Sequence, residues 1–289
     1  MKILAILNPK SGLSSSKAQF IDVLEVFSKH KHDVEVYITQ RKNDAYEYIL
    51  KSKKKYDSIC VFGGDGTMNE VTNALMHKKN KPSIGYFPSG TTNDFGSNFN
   101  LGTDWKKIAE KVCRGKTTEF DVGDFNGKYF NYVAAFGAFC DVPYSTPREI
   151  KKSLGYIAYF IEGIKKIIDI RPIKVNVKCN DKQESFDALF GLIFSGNRVA
   201  GMELLDKKKG KINDGKFNVL IVEYARTLLD APNVIEILTS QHKYLHWYSS
   251  EEIEIDFDGD VKFDLDGEEA SVKDKLVVKN INKALKILN

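Results

Sequence analysis

The sequence predicts an α/β fold joined to an all-β one. The N-terminal part reads as a parallel α/β domain and the C-terminal part as an antiparallel, β-sandwich-like domain. Up to Val122, short apolar runs alternate with segments whose apolar residues recur at helical spacing, the pattern of a parallel sheet covered on both faces. Beyond Val122, β-prone runs follow one another across tight turns such as Asn126-Gly127, a hairpin signal. A chain of 289 residues, 42% hydrophobic and 28% charged, holds one large domain or two ordinary ones and is not a disordered polymer.

The elements follow in order. Residues 3–7 form an apolar run that Asn8-Pro9 ends, so the first element is a strand. Residues 14–29 place Phe20, Val23, Leu24 and Phe27 on one helical face. A strand at 34–38 and a helix at 45–53, with Tyr46, Ile49 and Leu50 together, come next. The run 58–62 is apolar throughout and enters the glycine turn Gly63-Gly64-Asp65-Gly66, after which 67–76 is helical. A strand at 84–87 and a helix at 105–114 complete the alternation. The second part is expected to hold strands at 118–122, 174–178, 188–194, 217–223, 252–257, 261–265 and 276–279. A tight turn is expected at Phe257-Asp258-Gly259-Asp260, and one long helix at about 147–169. The expected domains are 1–122, with 280–289 returning to complete it, and 123–279; the functional cleft is expected between them.

Composition narrows the function classes. The net charge of +4 is weak and no concentrated basic stripe appears, which argues against a nucleic-acid binder. Cys60, Cys113, Cys140 and Cys179 are far apart and form no metal-ligand spacing, which suits a reduced, cytoplasmic setting. No apolar stretch reaches the ~20 residues of a membrane span, so any contact with lipid is expected from the surface. The 147–169 helix, with its apolar face and flanking lysines, is a candidate for that contact.

Four polar clusters fall at strand ends, where open α/β sheets bind ligands. Asn8-Pro9-Lys10-Ser11-Gly12 is a turn able to hold phosphate through its N–H groups. Gly63-Gly64-Asp65-Gly66-Thr67-Met68-Asn69-Glu70 sets backbone donors and a helix N-terminus where an anion can sit. A carboxylate among phosphate donors makes sense if a cation lies between the two, so the segment suggests a metal–nucleotide site. Pro88-Ser89-Gly90-Thr91-Thr92-Asn93-Asp94-Phe95-Gly96 adds hydroxyls, an amide and Asp94, which can join Asp65 around Mg²⁺, with Asp121 a third candidate carboxylate. Far downstream, Asp266-Gly267-Glu268 reads as a turn followed by a carboxylate placed to act as a general base.

Taken together, NPKSG, GGDGTMNEV, PSGTTNDFG and the late DGE resemble the diacylglycerol kinase catalytic-domain family, in particular its soluble bacterial members, relatives of the sphingosine and ceramide kinases. The resemblance spans nearly the whole chain with the motifs in the family's order. GGDG alone is shared with NAD kinases and phosphofructokinases; PSGTTNDFG is what points to lipid kinases. The resemblance implies an ATP- and Mg²⁺-dependent lipid kinase acting on a lipid hydroxyl, with diacylglycerol the expected acceptor and phosphatidic acid the product. It implies ATP contacts from Asn8, Pro9, Lys10, Ser11, Gly12, Thr39, Thr91 and the run Gly64, Asp65, Gly66, Thr67, Met68, Asn69, Glu70. It further implies an acidic network of Asp65, Asp94 and Asp121 near magnesium, and Glu268 as the base. In Lys211-Ile212-Asn213-Asp214-Gly215-Lys216 it implies a structural magnesium loop, ligated by the Asp214 carboxylate and the Lys211 and Lys216 carbonyls. Two departures stand out: Ser97 where the family often has Arg, and Asn213 where it often has an acid. The expected partners are a lipid alcohol and the inner membrane surface, met peripherally, with a homodimer left open. The alternatives are a kinase for another lipid alcohol or for a soluble alcohol such as NAD, and a non-catalytic nucleotide-binding regulator.

Overall fold

The structure is a computed structural model that describes residues 1–11, 16–90, 93–141, 171–199, 202–203, 210–224 and 243–289. The helix expected at 147–169 lies outside the described residues. The chain divides into two units, Met1–Val122 with Asn282–Asn289, and Gly123–Ile281.

The first unit is built on β1 (Lys2–Leu7), β2 (Asp33–Ile38), β3 (Ser58–Gly63) and β4 (Ser83–Pro88). β1 pairs in parallel with β2 and β3, and β3 with β4. All six residues of β3 are buried, as a run apolar on both faces requires. The intervening helices are α1 (Ser16–Lys29), α2 (Asp44–Lys51), α3 (Asp65–Met76), α4 (Asp94–Asn98) and α5 (Trp105–Arg114). They cover both faces of the sheet. Phe62 and Phe87 meet Trp105 of α5 at ring separations of 5.3 and 6.1 Å, while the adjacent Tyr86 turns to Phe95 of α4 and to Asp65 of α3. α5 shows its stop and start signals plainly: Asp104 accepts the Lys107 N–H at the N-cap, and Gly115, at φ +71°, ends it.

The chain leaves this unit within β5 (Thr117–Phe125) and returns within β15 (Glu268–Leu288). The returning end lies parallel to β4, with Ile287 opposite Ile84, and the Asn289 N–H donates to the Lys116 carbonyl at 3.1 Å.

Among the described residues, the strand pairings of the second unit are antiparallel. β6 (Lys128–Phe130) pairs with the end of β5 across the Asn126-Gly127 turn. β7 (Val133–Gly137) leads into the short α6 (Ala138–Asp141). β8 (Ile173–Cys179), β9 (Lys182–Phe194), β12 (Phe217–Glu223), β13 (Leu245–Ser250) and β14 (Glu252–Leu265) complete the main ladder. β10 (Arg198–Val199) and β11 (Met202–Glu203) pair antiparallel as a separate two-stranded sheet. β7 and β8 share one lane: each pairs with β9 on one side and β14 on the other, at successive stretches of the two long strands. Those long strands let the sheet curl, so that Val175 and Val177 of β8 and Val219 and Ile221 of β12 share one core with Phe136, whose ring is 5.2 Å from that of Phe263.

One expected feature is corrected here. Phe257-Asp258-Gly259-Asp260 is not a turn between two strands but a register shift inside β14, with Gly259 at φ +99°. Because β15 pairs with residues on both sides of it, the chain bulges and continues instead of reversing.

Gly137 and Gly127 both have positive φ, but a Cβ at Gly137 would meet the Leu189 carbonyl oxygen at 2.6 Å and Phe190 Cα at 2.8 Å, whereas Gly127 faces open space. Gly127→Ala is therefore expected to cost only about 1 kcal/mol of left-handed strain, and Gly137→Ala about 2–4 kcal/mol, since backbone must also move. Urea titration of the two variants checks this; equal midpoints would contradict it.

Candidate active site

In the first unit, the turns that follow β1, β3 and β4 are tied to one another. The Asn8 N–H donates to the Phe62 carbonyl and the Ser89 N–H to the Gly63 carbonyl, both at 2.9 Å, so the parallel ladder extends past the strand ends. Asn8 Nδ2 donates to Thr67 Oγ1 at 2.8 Å, and the Ser11 and Ser89 hydroxyls share a bond of 2.9 Å. The Lys10 N–H turns back to Asn8 Oδ1. The glycines fix how close these turns come. A Cβ on Gly90 would meet Gly64 Cα at 2.9 Å, and one on Gly63 would meet Thr67 at 2.6 Å. Asn93, at φ +50°, closes the third turn by accepting the Gly90 N–H and donating to the Gly90 carbonyl, both at 2.8 Å.

Asp65 is the first residue of α3, a 12-residue helix whose N-cap, Gly64, provides no side-chain cap. Its Oδ1 accepts the Tyr86 hydroxyl at 3.3 Å and its Oδ2 the Asp94 N–H at 3.2 Å. Burial, and after it the Asp65 charge, raise the Tyr86 phenol well above its ordinary range, so it stays a neutral donor. A carboxylate at a helix N-terminus is the kind of oxygen ligand that suits a hard cation.

Other expected residues are placed differently. Glu70 is spent on α2: its two oxygens accept the Asn43 and Ala45 N–H groups at 2.8 and 3.1 Å, the role of a helix cap. The Met68 side chain is fully buried and Thr39 is held at the end of β2 by the Leu7 carbonyl, so neither presents a free side chain. Asn69 is buried and accepts from Asn73. Pro9 and Lys10 are exposed, and Gly66 is half-buried. Gly12 and Thr91 lie outside the described residues.

The three expected carboxylates have separate contacts. Among the described residues no three His, Cys, Asp or Glu side chains come together as metal ligands. Asp121, fully buried, accepts the Lys283 N–H at 2.7 Å and so anchors the returning end of β15. Asp94, 2% exposed, reaches Asp65 through its backbone.

In the second unit, Leu265 and Glu268 face each other across a two-residue turn, Asp266-Gly267, with φ of +54° and +94°. That is the I′ geometry for which Asp-Gly is suited. Sequence reasoning missed the role of Asp266. Its carboxylate, 2% exposed, accepts Asn131 N–H and Nδ2, Tyr132 N–H and Val133 N–H, while its own N–H donates to the Val133 carbonyl. The turn that presents Glu268 is thereby fixed to the start of β7. No local signal announces this, because the donors lie more than a hundred residues earlier. Glu268 itself is half-buried.

The 211–216 loop is bonded partly within itself and partly to Gly196. Asp214 is exposed and accepts the Lys216 N–H at 3.1 Å, and the Lys211 carbonyl accepts the Gly196 N–H at 3.3 Å. The Asp214–Lys216 bond is that of an Asx-type turn.

Comparison with known proteins gives the family and the fold. Residues 2–125 match the family model described as the diacylglycerol kinase catalytic domain. A diacylglycerol kinase of Staphylococcus saprophyticus is 32% identical over 91% of this chain and 87% of its own. One from Staphylococcus epidermidis is 31% identical over 91% and 84%. Among solved structures, one from Bacillus anthracis superposes with a TM-score of 0.85 at 23% identity over 99% of this chain and 94% of the other. A Bacillus anthracis diacylglycerol kinase gives 0.78 at 19% identity over 99% and 96%; both show the fold. Glycine-locked phosphate-type turns on an α/β sheet, joined to an antiparallel β unit, are thus those of a kinase family. The chain belongs to the diacylglycerol kinase catalytic-domain family.

Removing the Asp266 carboxylate leaves its buried N–H donors without an acceptor. Asp266→Ala is expected to lower stability by about 3–5 kcal/mol, and Asp266→Asn by less, because the amide oxygen still accepts. Chemical denaturation measures the loss, and amide exchange at 131–133 locates it. Unchanged protection at those amides would contradict the anchoring role.

Proposed function

We propose that the chain is an ATP- and Mg²⁺-dependent lipid kinase that phosphorylates the hydroxyl of diacylglycerol, giving phosphatidic acid. The observation that carries this reading is Asp65 at the head of α3, among turns whose glycines allow backbone-to-backbone approach. Backbone donors at the head of α3, with hydroxyls of the neighbouring turns, would take the phosphates of ATP. Mg²⁺ suits the single half-buried carboxylate, because it binds through one or two carboxylates together with substrate phosphates and water and needs no all-protein cage. When bound, it would offset charge on the transferring phosphate.

The chain's own residues do the rest. Tyr86 and the Asp94 N–H hold the Asp65 carboxylate in one orientation. Glu268, on its anchored hairpin, takes the proton of the lipid hydroxyl as that oxygen attacks the γ-phosphorus and the bond to the bridging oxygen breaks, releasing ADP. The first unit is read as the nucleotide domain and the second as the lipid domain. Among the described residues no helix is long and apolar enough to cross a membrane, so the lipid would be met at the surface of the bilayer.

The test is transfer of label from γ-labelled ATP with Mg²⁺ to lipids in mixed micelles, offered one at a time, with NAD and no-lipid controls. Label is expected on diacylglycerol. Glu268→Gln is expected to lower turnover about 10²–10⁴-fold with nucleotide affinity nearly unchanged. Asp65→Ala is expected to abolish transfer. Label on NAD alone, or ATP bound without transfer to any acceptor, would overturn the reading; equal loss of binding and turnover in Glu268→Gln would remove Glu268 as the base.

A further inference from the structure

We infer that the first unit carries a second anion site, a lysine-rimmed pocket at the opposite end of its sheet from the catalytic turns, that binds a phosphate group. The pocket encloses about 630 Å³. Two segments border it, the one that enters β3 and the one that enters β4, and its apolar floor includes Leu4, Ile49, Ile59 and Leu75. The catalytic turns leave the other ends of the same strands, so a six-residue strand, roughly 20 Å, separates the two sites.

The charge balance makes it an anion site. Lys53, Lys54, Lys55, Lys78, Lys79 and Lys81 line the pocket, against one carboxylate, Asp57, which accepts the Lys2 backbone N–H at 2.7 Å. Lys54 is neutralised by Glu35 at 2.8 Å, and Lys78 donates to the Ser52 carbonyl at 2.9 Å without losing its charge. No acidic side chain pairs with Lys53, Lys55 or Lys79 among the described residues. The bland account is that these lysines complement the C-termini of α2 and α3, which end at Lys51 and Met76. Each helix end supplies only about half a negative charge, so the two together offset about one lysine and leave about three positive charges uncompensated. Crowding them around one concavity costs repulsion that a dianion relieves. Phosphate fits that charge, and the apolar floor accommodates the rest of a phosphate ester.

The phosphate could belong to a soluble compound or to a lipid headgroup, and the test separates the two. Inorganic phosphate is titrated into the full-length ¹⁵N-labelled chain and backbone amide shifts are followed. Saturable shifts are expected at 53–57 and 77–81, distinct from any at the catalytic turns. Lys53→Glu/Lys55→Glu/Lys79→Glu is expected to weaken them about tenfold or more, as loss of charge-assisted contacts does. The same reversal at Lys29, Lys106 and Lys116 is expected to change affinity by less than about twofold, and the triple Arg variant to keep binding. Thermal melts check that each variant is folded. In parallel, cosedimentation with phosphatidylcholine vesicles with and without phosphatidic acid is measured. Loss of acid-dependent vesicle binding in the pocket variant assigns a lipid headgroup; loss of the phosphate shifts alone assigns a soluble phosphate compound. Absence of saturable shifts at these amides, or equal weakening by the remote reversal, overturns the site. Neither readout depends on kinase activity, so its failure is separate from failure of the proposed reaction.

Discussion

The contact on which the nucleotide half of this protein depends is the approach of Gly64 to Gly90. With a Cβ on Gly90 only 2.9 Å from Gly64 Cα, no other residue fits there without moving backbone. This contact sets the spacing of the β3 and β4 turns, and the Ser89-to-Gly63 bond fixes their register. The rest follows from it. Asp94 comes near enough for its N–H to reach Asp65, and Ser89 reaches Ser11 in the β1 turn. Glycine does here what a larger residue cannot: it lets two main chains come into direct contact. The buried strand β3 is the rigid support, since its six residues are closed on both faces and the turn after it cannot drift.

A different interaction fixes the second unit's contribution. A carboxylate buried to the extent of Asp266 would be costly alone, but several N–H donors converge on it and replace its water. The β14–β15 hairpin is thus held by a charge-assisted network, and Glu268, one residue past the turn, inherits its precision without being buried itself. The same principle recurs at Asp121, where one buried carboxylate and one backbone N–H, that of Lys283, secure the returning strand. Each anchors backbone.

Legibility in the sequence divides along the range of the forces involved. Local forces leave local signals. The apolar run of β3, the glycines after it, the Asp104 cap and Gly115 stop of α5, and the Asn126-Gly127 turn each determine structure within a few residues. Glu70 sits in the glycine-turn motif, yet its carboxylate also holds the start of α2 about twenty-five residues away, which spacing cannot reveal. Asp258-Gly259 has the composition of a turn, but turn or bulge is decided by whether a partner strand continues past it, and β15 does. β7, β13 and the first half of β9 escape periodicity for a related reason. β7 is buried at every position and the others carry polar residues, so neither shows the alternation that marks a half-buried strand. Short α4 begins at Asp94, where the sequence reads as a loop.

The most direct measurement of the central claim is nucleotide affinity in Gly90→Ala. Mg²⁺–ATP binding to the variant and to the unsubstituted chain would be compared by calorimetry, with thermal melts alongside. If the Gly64–Gly90 approach builds the phosphate-binding turns, affinity falls at least about tenfold while the melting temperature shifts by only a few degrees. Unchanged affinity in a folded variant would mean that the two turns need not meet, and the account of the site would be wrong at its base.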